Sequence, residues 1–349
     1  MIEVEQLSKA YGSTVAISNV SFKVEPGEIL GFLGPNGAGK TTTMRILAGY
    51  LPATSGTAHI ASHEVHRNSM AVRQNIGYLP ETPPRYMDMT VEASLYFVAR
   101  IKGLPIGDRT QRVESAMERC NLIEKRRVLI RKLSKGFRQR VGIAQAIVHD
   151  PPVIILDEPT VGLDPKQIID VRNLIKSLAG QHTIILSTHI LPEVSMTCDR
   201  IAIINQGQIV ATDTPENLTA RLAGQLGYAI EVAGDPEQAR AVLSQLTQVD
   251  SIKSLPNDGL GDNHHRFQVA AATEEDPGSA IANAITTANL GLYELSRNRA
   301  SLEDVFINLT TEEPTVAGTD SSPDEVTSTL PEAGSDRPAT QDTPSELDE

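Results

Sequence analysis

Only two cysteines, Cys120 and Cys198, occur in 349 residues. They make neither a disulfide framework nor a metal-ligand spacing, and read as core or near-surface thiols of a reducing compartment. No run of about 18 apolar residues occurs, so the chain is not expected to span a membrane by itself. The opening MIEVEQLSKAYG carries acids where a secretory leader would have a basic end and then an apolar core. The chain is therefore expected to stay in the cytosol. An excess of basic charge is also missing. The formal net charge is −13, which gives no global electrostatic case for nucleic acid.

That charge is unevenly spread. Residues 311–349 hold 11 acids against the single Arg337 and so carry −10 of it, leaving residues 1–310 near neutral. The same segment is rich in Pro, Ser, Thr and Gly and has almost no large apolar residues. It is expected to be a disordered acidic tail. The chain as a whole is 40% hydrophobic, ordinary for a globular protein, and long enough for two or three domains with a sizeable core.

Three strand-like runs end in polar groups. The first, Ile29 to Leu33, turns through glycines into a helical pattern, and Gly34 to Thr41 reads GPNGAGKT, a full match to G-x-x-x-x-G-K-[ST]. Glycines at this spacing let backbone N–H groups converge on phosphates. Lys40 can then reach the β/γ oxygens, the Thr41 hydroxyl can ligate Mg²⁺, and the following helix adds its positive end. The alternative, a chance glycine loop before a helix, requires both the motif and its strand–loop–helix context to be accidental.

The second run, Val153 to Leu156, is continuous and apolar, as in a parallel strand covered on both faces, and delivers Asp157 and Glu158. Adjacent acids after a strand can be a solvated turn. Beside a phosphate loop they suit a metal ligand (Asp157) and a base that polarises water for attack on the γ-phosphate (Glu158). The third run, Ile184 to Leu186, leads to Ser187, Thr188 and His189. Ligands gather at the carboxyl ends of strands in open α/β sheets, so His189 is expected to bond the γ-phosphate and align the attacking water. The pair His264–His265 is expected in a polar loop.

The stretch LSKGFRQRVGIAQA, Leu133 to Ala146, crowds cations around one glycine before an apolar helix-like pattern. By itself it reads equally as a nucleic-acid patch, a solvated helix face, or a helix N-terminus that holds an anion.

Taken in order, GPNGAGKTT, LSKGFRQR, VIILDEPTVGLDP and LSTH resemble the ATP-binding cassette (ABC) family over about residues 1–220. The resemblance implies an α/β fold, a P-loop NTPase cassette with a mixed sheet core and a helical subdomain at about 82–145. It implies ATP as substrate with Mg²⁺, and two cassettes paired head to tail around two ATP. Gly34, Pro35, Asn36, Gly37, Ala38, Gly39, Lys40, Thr41 and Thr42 would bind ATP, with Tyr11 stacking on adenine. Thr41, Asp157 and Glu81 would hold the metal, and Glu158 and His189 would serve catalysis. Ser134 and the Gly136 backbone would contact the partner's γ-phosphate in trans, Leu133 would orient that loop, and Lys135 would add attraction to the triphosphate. Arg138 and Arg140 would face solvent or pair within the domain. Asp164, in VGLDP, would couple the two sites across the dimer.

Two departures stand out. Lys135 and Phe137 replace the family's usual glycine and glutamine, and Glu81 replaces a glutamine. Glutamate ligates Mg²⁺ at least as well but cannot donate a hydrogen bond, so sensing of the γ-phosphate through this loop is expected to differ.

VEASLYFVARIKGL and RVESAMERCNLIEK have helical spacing and match the subdomain that receives a short cytoplasmic helix of a membrane permease. Residues 221–310 read βαββαβ, a small α+β ferredoxin-like module, closed by a helix opened at Ser301. The leading reading is an ATPase subunit driving a separate transmembrane permease, peripheral on the cytoplasmic face of the membrane. It resembles type-2 exporter ATPases and, among them, the gliding-motility branch. Alternatives are a soluble cassette acting on the ribosome or DNA, or an importer subunit. The chain has no heptad run in 41–133 and a single GKT, which count against the soluble alternative, and no nucleic acid is expected as a partner.

Overall fold

The structure, a computed structural model, describes residues 1–83, 86–222, 227–256, 263–271, 276–298 and 302–311. The chain opens with a hairpin, β1 (Ile2–Tyr11) and β2 (Thr14–Val24), turning at Gly12 with φ +59°. It continues through β3 (Ile29–Leu33), α1 (Lys40–Leu47), β4 (Ser55–Ile60), β5 (His63–Glu64), α2 (Ser69–Asn75) and β6 (Ile76–Leu79). Next come three helices, α3 (Val91–Ile101), α4 (Ile106–Arg119) and α5 (Lys135–Ile147). Then follow β7 (Val153–Asp157), α6 (Pro165–Leu178), β8 (Thr183–Thr188), α7 (Leu191–Thr197), β9 (Arg200–Asn205), β10 (Gln208–Asp213) and α8 (Pro215–Leu222).

Two sheets result. One is antiparallel, β2-β1-β4-β5, and the other is mixed, β10-β9-β3-β8-β7-β6. All residues of β3, β7 and β8 are buried. Their alternate side chains feed two separate cores. Ile29, Leu33, Ile154, Leu156, Ile184 and Leu186 join the helices, whereas Leu30, Phe32, Val153, Ile155 and Ile185 join α1 and the antiparallel sheet. A strand covered on both faces must read as a continuous apolar run. Full burial of each such side chain contributes about 1.5–3 kcal/mol. Gly31 is needed for the α7 contact, since a Cβ there would lie 2.8 Å from Val194 Cγ1 and 2.9 Å from Cys198 Sγ.

Parallel register sets the three polar strand ends side by side. Leu33 pairs with Thr188, and Ser187 pairs with Asp157. Gly34, Glu158 and His189, each one residue beyond its strand, therefore share one edge.

A third, antiparallel sheet has the order β12-β13-β11-β14, made by β11 (Gly227–Ala233), β12 (Val249–Leu255), β13 (His264–Ala271) and β14 (Gly291–Asn298). With α9 (Pro236–Ser244) and α10 (Gly278–Thr287) it gives the βαββαβ order of a ferredoxin-like fold. His264 and His265 lie in β13, not in a loop, and His264 Nδ1 is 2.8 Å from Glu231 Oε1. The alternation of buried residues in β13 begins only at Phe267, continuing at Val269 and Ala271, so the two half-buried histidines at its start carry no apolar signal. Finally α11 (Leu302–Thr311) packs Leu302, Phe306 and Leu309 against the helical-side core, and Asn205 Nδ2 donates to the Thr310 carbonyl at 3.2 Å. The expected cap Ser301 lies outside the described residues, and of the tail expected over 311–349 only Thr311 is described, as the last residue of α11.

Candidate functional site

At the shared strand edge is a cavity of about 460 Å³, lined by Ala16, the glycine loop from Asn36 to Thr42 except Ala38, Glu81, Glu158, Val161 and His189. The loop is shaped by two glycines that admit no side chain. A Cβ at Gly34 would sit 2.4 Å from the Ile204 carbonyl oxygen, and one at Gly39 would sit 2.5 Å from Ile17 Cγ2, with φ +106° besides. Gly39 is also the N-cap of α1, so the helix starts on the cavity wall with backbone N–H groups facing it.

Lys40 is 5% exposed. Its Nζ donates to the Gly34 and Pro35 carbonyls at 2.8 and 3.2 Å and lies 3.4 Å from Glu158 Oε1. The other side of Glu158 faces His189, whose Nδ1 is 2.9 Å from Oε2 and 3.1 Å from Oε1. Glu158 has φ +49°, a left-handed conformation that costs a non-glycine residue free energy unless its neighbours hold it. Here the Glu158 N–H donates to Ser187 O at 3.0 Å and Ser187 Oγ at 3.2 Å.

Asp157 is fully buried beneath this pair. Its Oδ1 accepts from Ser187 Oγ at 2.5 Å and Thr41 Oγ1 at 3.3 Å, while Oδ2 is buried without a hydrogen-bond partner. Burial pushes its carboxyl above the usual range. Hydrogen bonds from Ser187 and Thr41 oppose that shift, and the charges of Glu81 and Glu158 add to it.

The structure thus brings together Asn36, Gly37, Gly39, Lys40, Thr41, Thr42, Glu81, Asp157, Glu158 and His189. Gly34 and Pro35 serve through their carbonyls on Lys40, and Ala38 packs into the core. Tyr11 lies outside the cavity lining, 49% exposed, with the Lys9 ammonium 5.3 Å from its ring centroid. Ala16 and Val161 line the cavity although nothing in their type marks them. Ser187 Oγ, by contrast, was foreshadowed by its place at a strand end.

The segment Leu133–Gly136 is not part of this lining. Ser134 caps α5, its Oγ accepting from the Phe137 N–H at 3.4 Å. Leu133 is buried in the helical-side core, and Gly136 is buried against Gln167, whose Oε1 a Cβ would meet at 2.2 Å. Lys135 is exposed and its ammonium lies over Gly162 of VGLDP. Arg140 pairs with Asp170 at 2.7 Å. Asp164 caps α6, accepting from the Gln167 N–H at 2.9 Å. The arrangement is a glycine loop around a buried cation, a carboxylate beside that cation, and the capped N-terminus of α5 outside the cavity.

Comparison with known proteins agrees. The family model "ABC transporter" matches residues 17–161. The linearmycin resistance ATP-binding protein of Bacillus subtilis (strain 168) is 31% identical over 312 residues, covering 89% of this chain and 98% of that protein. The bacitracin transport ATP-binding protein of Bacillus licheniformis is 30% identical over 311 residues, covering 88% and 97%. Among solved structures, an ATP-binding subunit of an ABC transporter is 30% identical with TM-score 0.59, covering 64% of this chain and 93% of that one. A bacterial ABC transporter cassette solved as a dimer shares the fold at TM-score 0.57, 24% identical over 61% of this chain and 98% of its own. The chain belongs to the ABC ATPases that serve as the ATP-binding subunits of transporters.

Proposed function

We propose that this chain binds and hydrolyses ATP in a head-to-tail pair of cassettes and so drives a separate membrane permease of the exporter type. The observation that carries this reading is Glu158, held between Lys40 and His189 in the lining of the glycine-loop cavity. In this reading Gly34–Thr42 cradle the triphosphate and Lys40 neutralises the β/γ oxygens. Glu158 takes the proton of the attacking water. His189 gives Nδ1–H to Glu158, which leaves Nε2 an acceptor in the neutral ring. The other ring nitrogen, Nε2, is then left to face the γ-phosphate and the attacking water.

The residues present suit Mg²⁺. The unpartnered buried Asp157 Oδ2, the Thr41 hydroxyl and Glu81 supply hard oxygens. Among the described residues no cluster of three or more His, Cys, Asp or Glu forms a complete cage, so phosphate oxygens and water would fill the shell, as Mg²⁺ prefers. The ion would neutralise charge on the β/γ oxygens.

Ser134 and the Gly136 backbone, at the N-terminus of α5 and away from the chain's own cavity, suit the partner's γ-phosphate, with Leu133 fixing the loop and Lys135 adding charge. Asp164 would carry the state of one site to the other, and Tyr11 would stack on adenine. Residues 1–220 would act as the cassette and 221–310 as an accessory module.

Among the described residues no helix is long and apolar enough to cross a membrane, and in this reading the membrane path is supplied by the permease. A groove of about 290 Å³ beside α3, lined by Tyr50, Tyr78, Tyr86, Phe97 and Lys102 among others, suits a short helix of that permease. Its exposed aromatics, Tyr50 at 69% and Tyr86 at 58%, are costly to leave in water. The protein would then sit at the cytoplasmic face of the membrane. Relatives named for resistance to linearmycin and transport of bacitracin support the exporter reading. The gliding-motility branch rests on sequence segments around Glu81 and the glycine loop.

The test is capture of tagged Glu158→Gln protein with ATP from detergent-solubilised native membranes, read by mass spectrometry. Recovery of a polytopic membrane protein is expected. Ribosomal or DNA-bound partners without a membrane chain would overturn the transport reading.

A further inference from the structure

Glu193 stands in the first turn of α7, 6% exposed. Its Oε2 accepts two hydrogen bonds, from Thr160 Oγ1 at 2.7 Å and Thr188 Oγ1 at 3.0 Å, and both threonines are buried. Its Oε1 is buried with no hydrogen-bond partner. Thr160 lies two residues after Glu158, inside the turn where Val161 N–H donates to Glu158 O and Leu163 N–H donates to Thr160 O. Thr188 immediately precedes His189, and its Oγ1 accepts from the Ile190 N–H at 3.1 Å. One carboxylate oxygen therefore ties together the segments that carry Glu158 and His189.

From this geometry we infer that Glu193 is a positioning residue for ATP hydrolysis, setting the spacing of Glu158 and His189 from behind; the inference rests on the function proposed above. Fastening α7 to the sheet does not need a carboxylate, because Val194 beside it is fully buried against Gly31. A buried carboxylate with one oxygen unpartnered is an expensive fastener, and it joins two segments that both end at the cavity. Glu158 adds a reason. Its left-handed φ of +49° persists only if the chain on either side is fixed. Ser187 holds the peptide N–H before it, and Glu193, through Thr160, holds the turn after it.

The network does not touch Lys40 or the glycine loop, so its loss should reach turnover and spare ATP binding. Both hydroxyls bond to the same oxygen, so a glutamine whose amide oxygen takes the place of Oε2 can accept both. Steady-state ATPase kinetics of the full chain, with melting curves for each variant, test this. For Glu193→Ala, kcat should fall about tenfold or more with KM for ATP within about twofold, the signature of a misplaced reacting group. Glu193→Gln should recover most of that loss. The pair Thr160→Val with Thr188→Val should reproduce the alanine phenotype, and it carries the test if Glu193→Ala does not fold.

Wild-type kcat in Glu193→Ala, or a parallel fall in kcat and rise in KM, would overturn the inference. So would a glutamine variant as slow as the alanine one, because the acceptor geometry would then not be what matters. Glu158→Gln, assayed alongside, separates the two readings. If it turns over ATP at the wild-type rate, the site assignment itself fails rather than the role of Glu193.

Discussion

His189 Nδ1 and Glu158 Oε2 lie 2.9 Å apart, and the carboxylate is buried while the imidazole side chain is 41% exposed. The imidazole stands on the solvent side of the pair. The buried partner keeps a fixed line toward the glycine loop. This asymmetry fits a base whose orientation must not vary and a neighbour that must respond.

Replacing Glu158 by Gln keeps the shape and an oxygen for His189 but removes the proton acceptor. Turnover should fall by about 10²–10⁴, with ATP binding retained. Size-exclusion chromatography with light scattering should show an ATP-dependent dimer, and hydrolysis near the wild-type rate would exclude Glu158 as the base.

Lys40→Ala and Gly39→Ala should separate charge from shape. The first removes a buried ammonium and should weaken ATP binding by at least about tenfold, roughly 1.4 kcal/mol. The second drives a Cβ to 2.5 Å from Ile17 Cγ2 at φ +106°, so it should also destabilise the protein by about 1–3 kcal/mol. Calorimetric titration and chemical denaturation read the two effects. Unchanged ATP affinity in Lys40→Ala would contradict the phosphate-cradle reading.

Asp157 places stability and function in opposition. Its carboxyl is raised chiefly by burial, so the folded state holds that proton more tightly than the unfolded state does. Stability from this group is present at low pH and is lost as pH rises through the raised value, leaving a net cost at neutral pH. Asp157→Asn should remove that cost and raise Tm by roughly 2–4 °C per kcal/mol recovered. Mg²⁺-dependent turnover should collapse in the same variant. A lowered Tm at pH 7 would argue that the ionised form is well compensated.

His149 should make the fold acid-sensitive. Its Nε2 bonds the Ile76 carbonyl at 3.0 Å, and burial, reinforced by the positive charge of Lys102, lowers its pKa to about 4. The unfolded chain binds this proton from about pH 6.5 downward, so stability present above that pH is lost as pH falls toward 4, up to about 3 kcal/mol. Glutamine there can still bond the carbonyl and does not titrate. His149→Gln should flatten the Tm-versus-pH curve between pH 4 and 6.5, and an unchanged slope would assign the sensitivity elsewhere.

Legibility in the sequence followed burial. β3, β7 and β8 are covered on both faces, so apolar runs revealed them, and their polar ends revealed the site. β1 did not stand out in the same way, because Gln6 sits at φ +47° and the register shifts between Val4 and Leu7, which breaks the period of two among Ile2, Val4 and Leu7. Glu193 was invisible for a different reason. Its partners, Thr160 and Thr188, are 33 and 5 residues away and meet it only after β7, β8 and α7 have packed. The place of His189 at a strand end was legible, but its direct bond to Glu158 required the register of β7 on β8.

The ferredoxin-like sheet leaves the cassette after α8, and the chain returns as α11, seated on the helical-side core next to α7 and β9. A module joined at one end swings like a pendulum. One tied at both ends is restrained at both, and its second tie, α11, contacts α7, the helix that begins two residues after His189. Load on this module would thus reach α7, the helix that follows His189 in the chain.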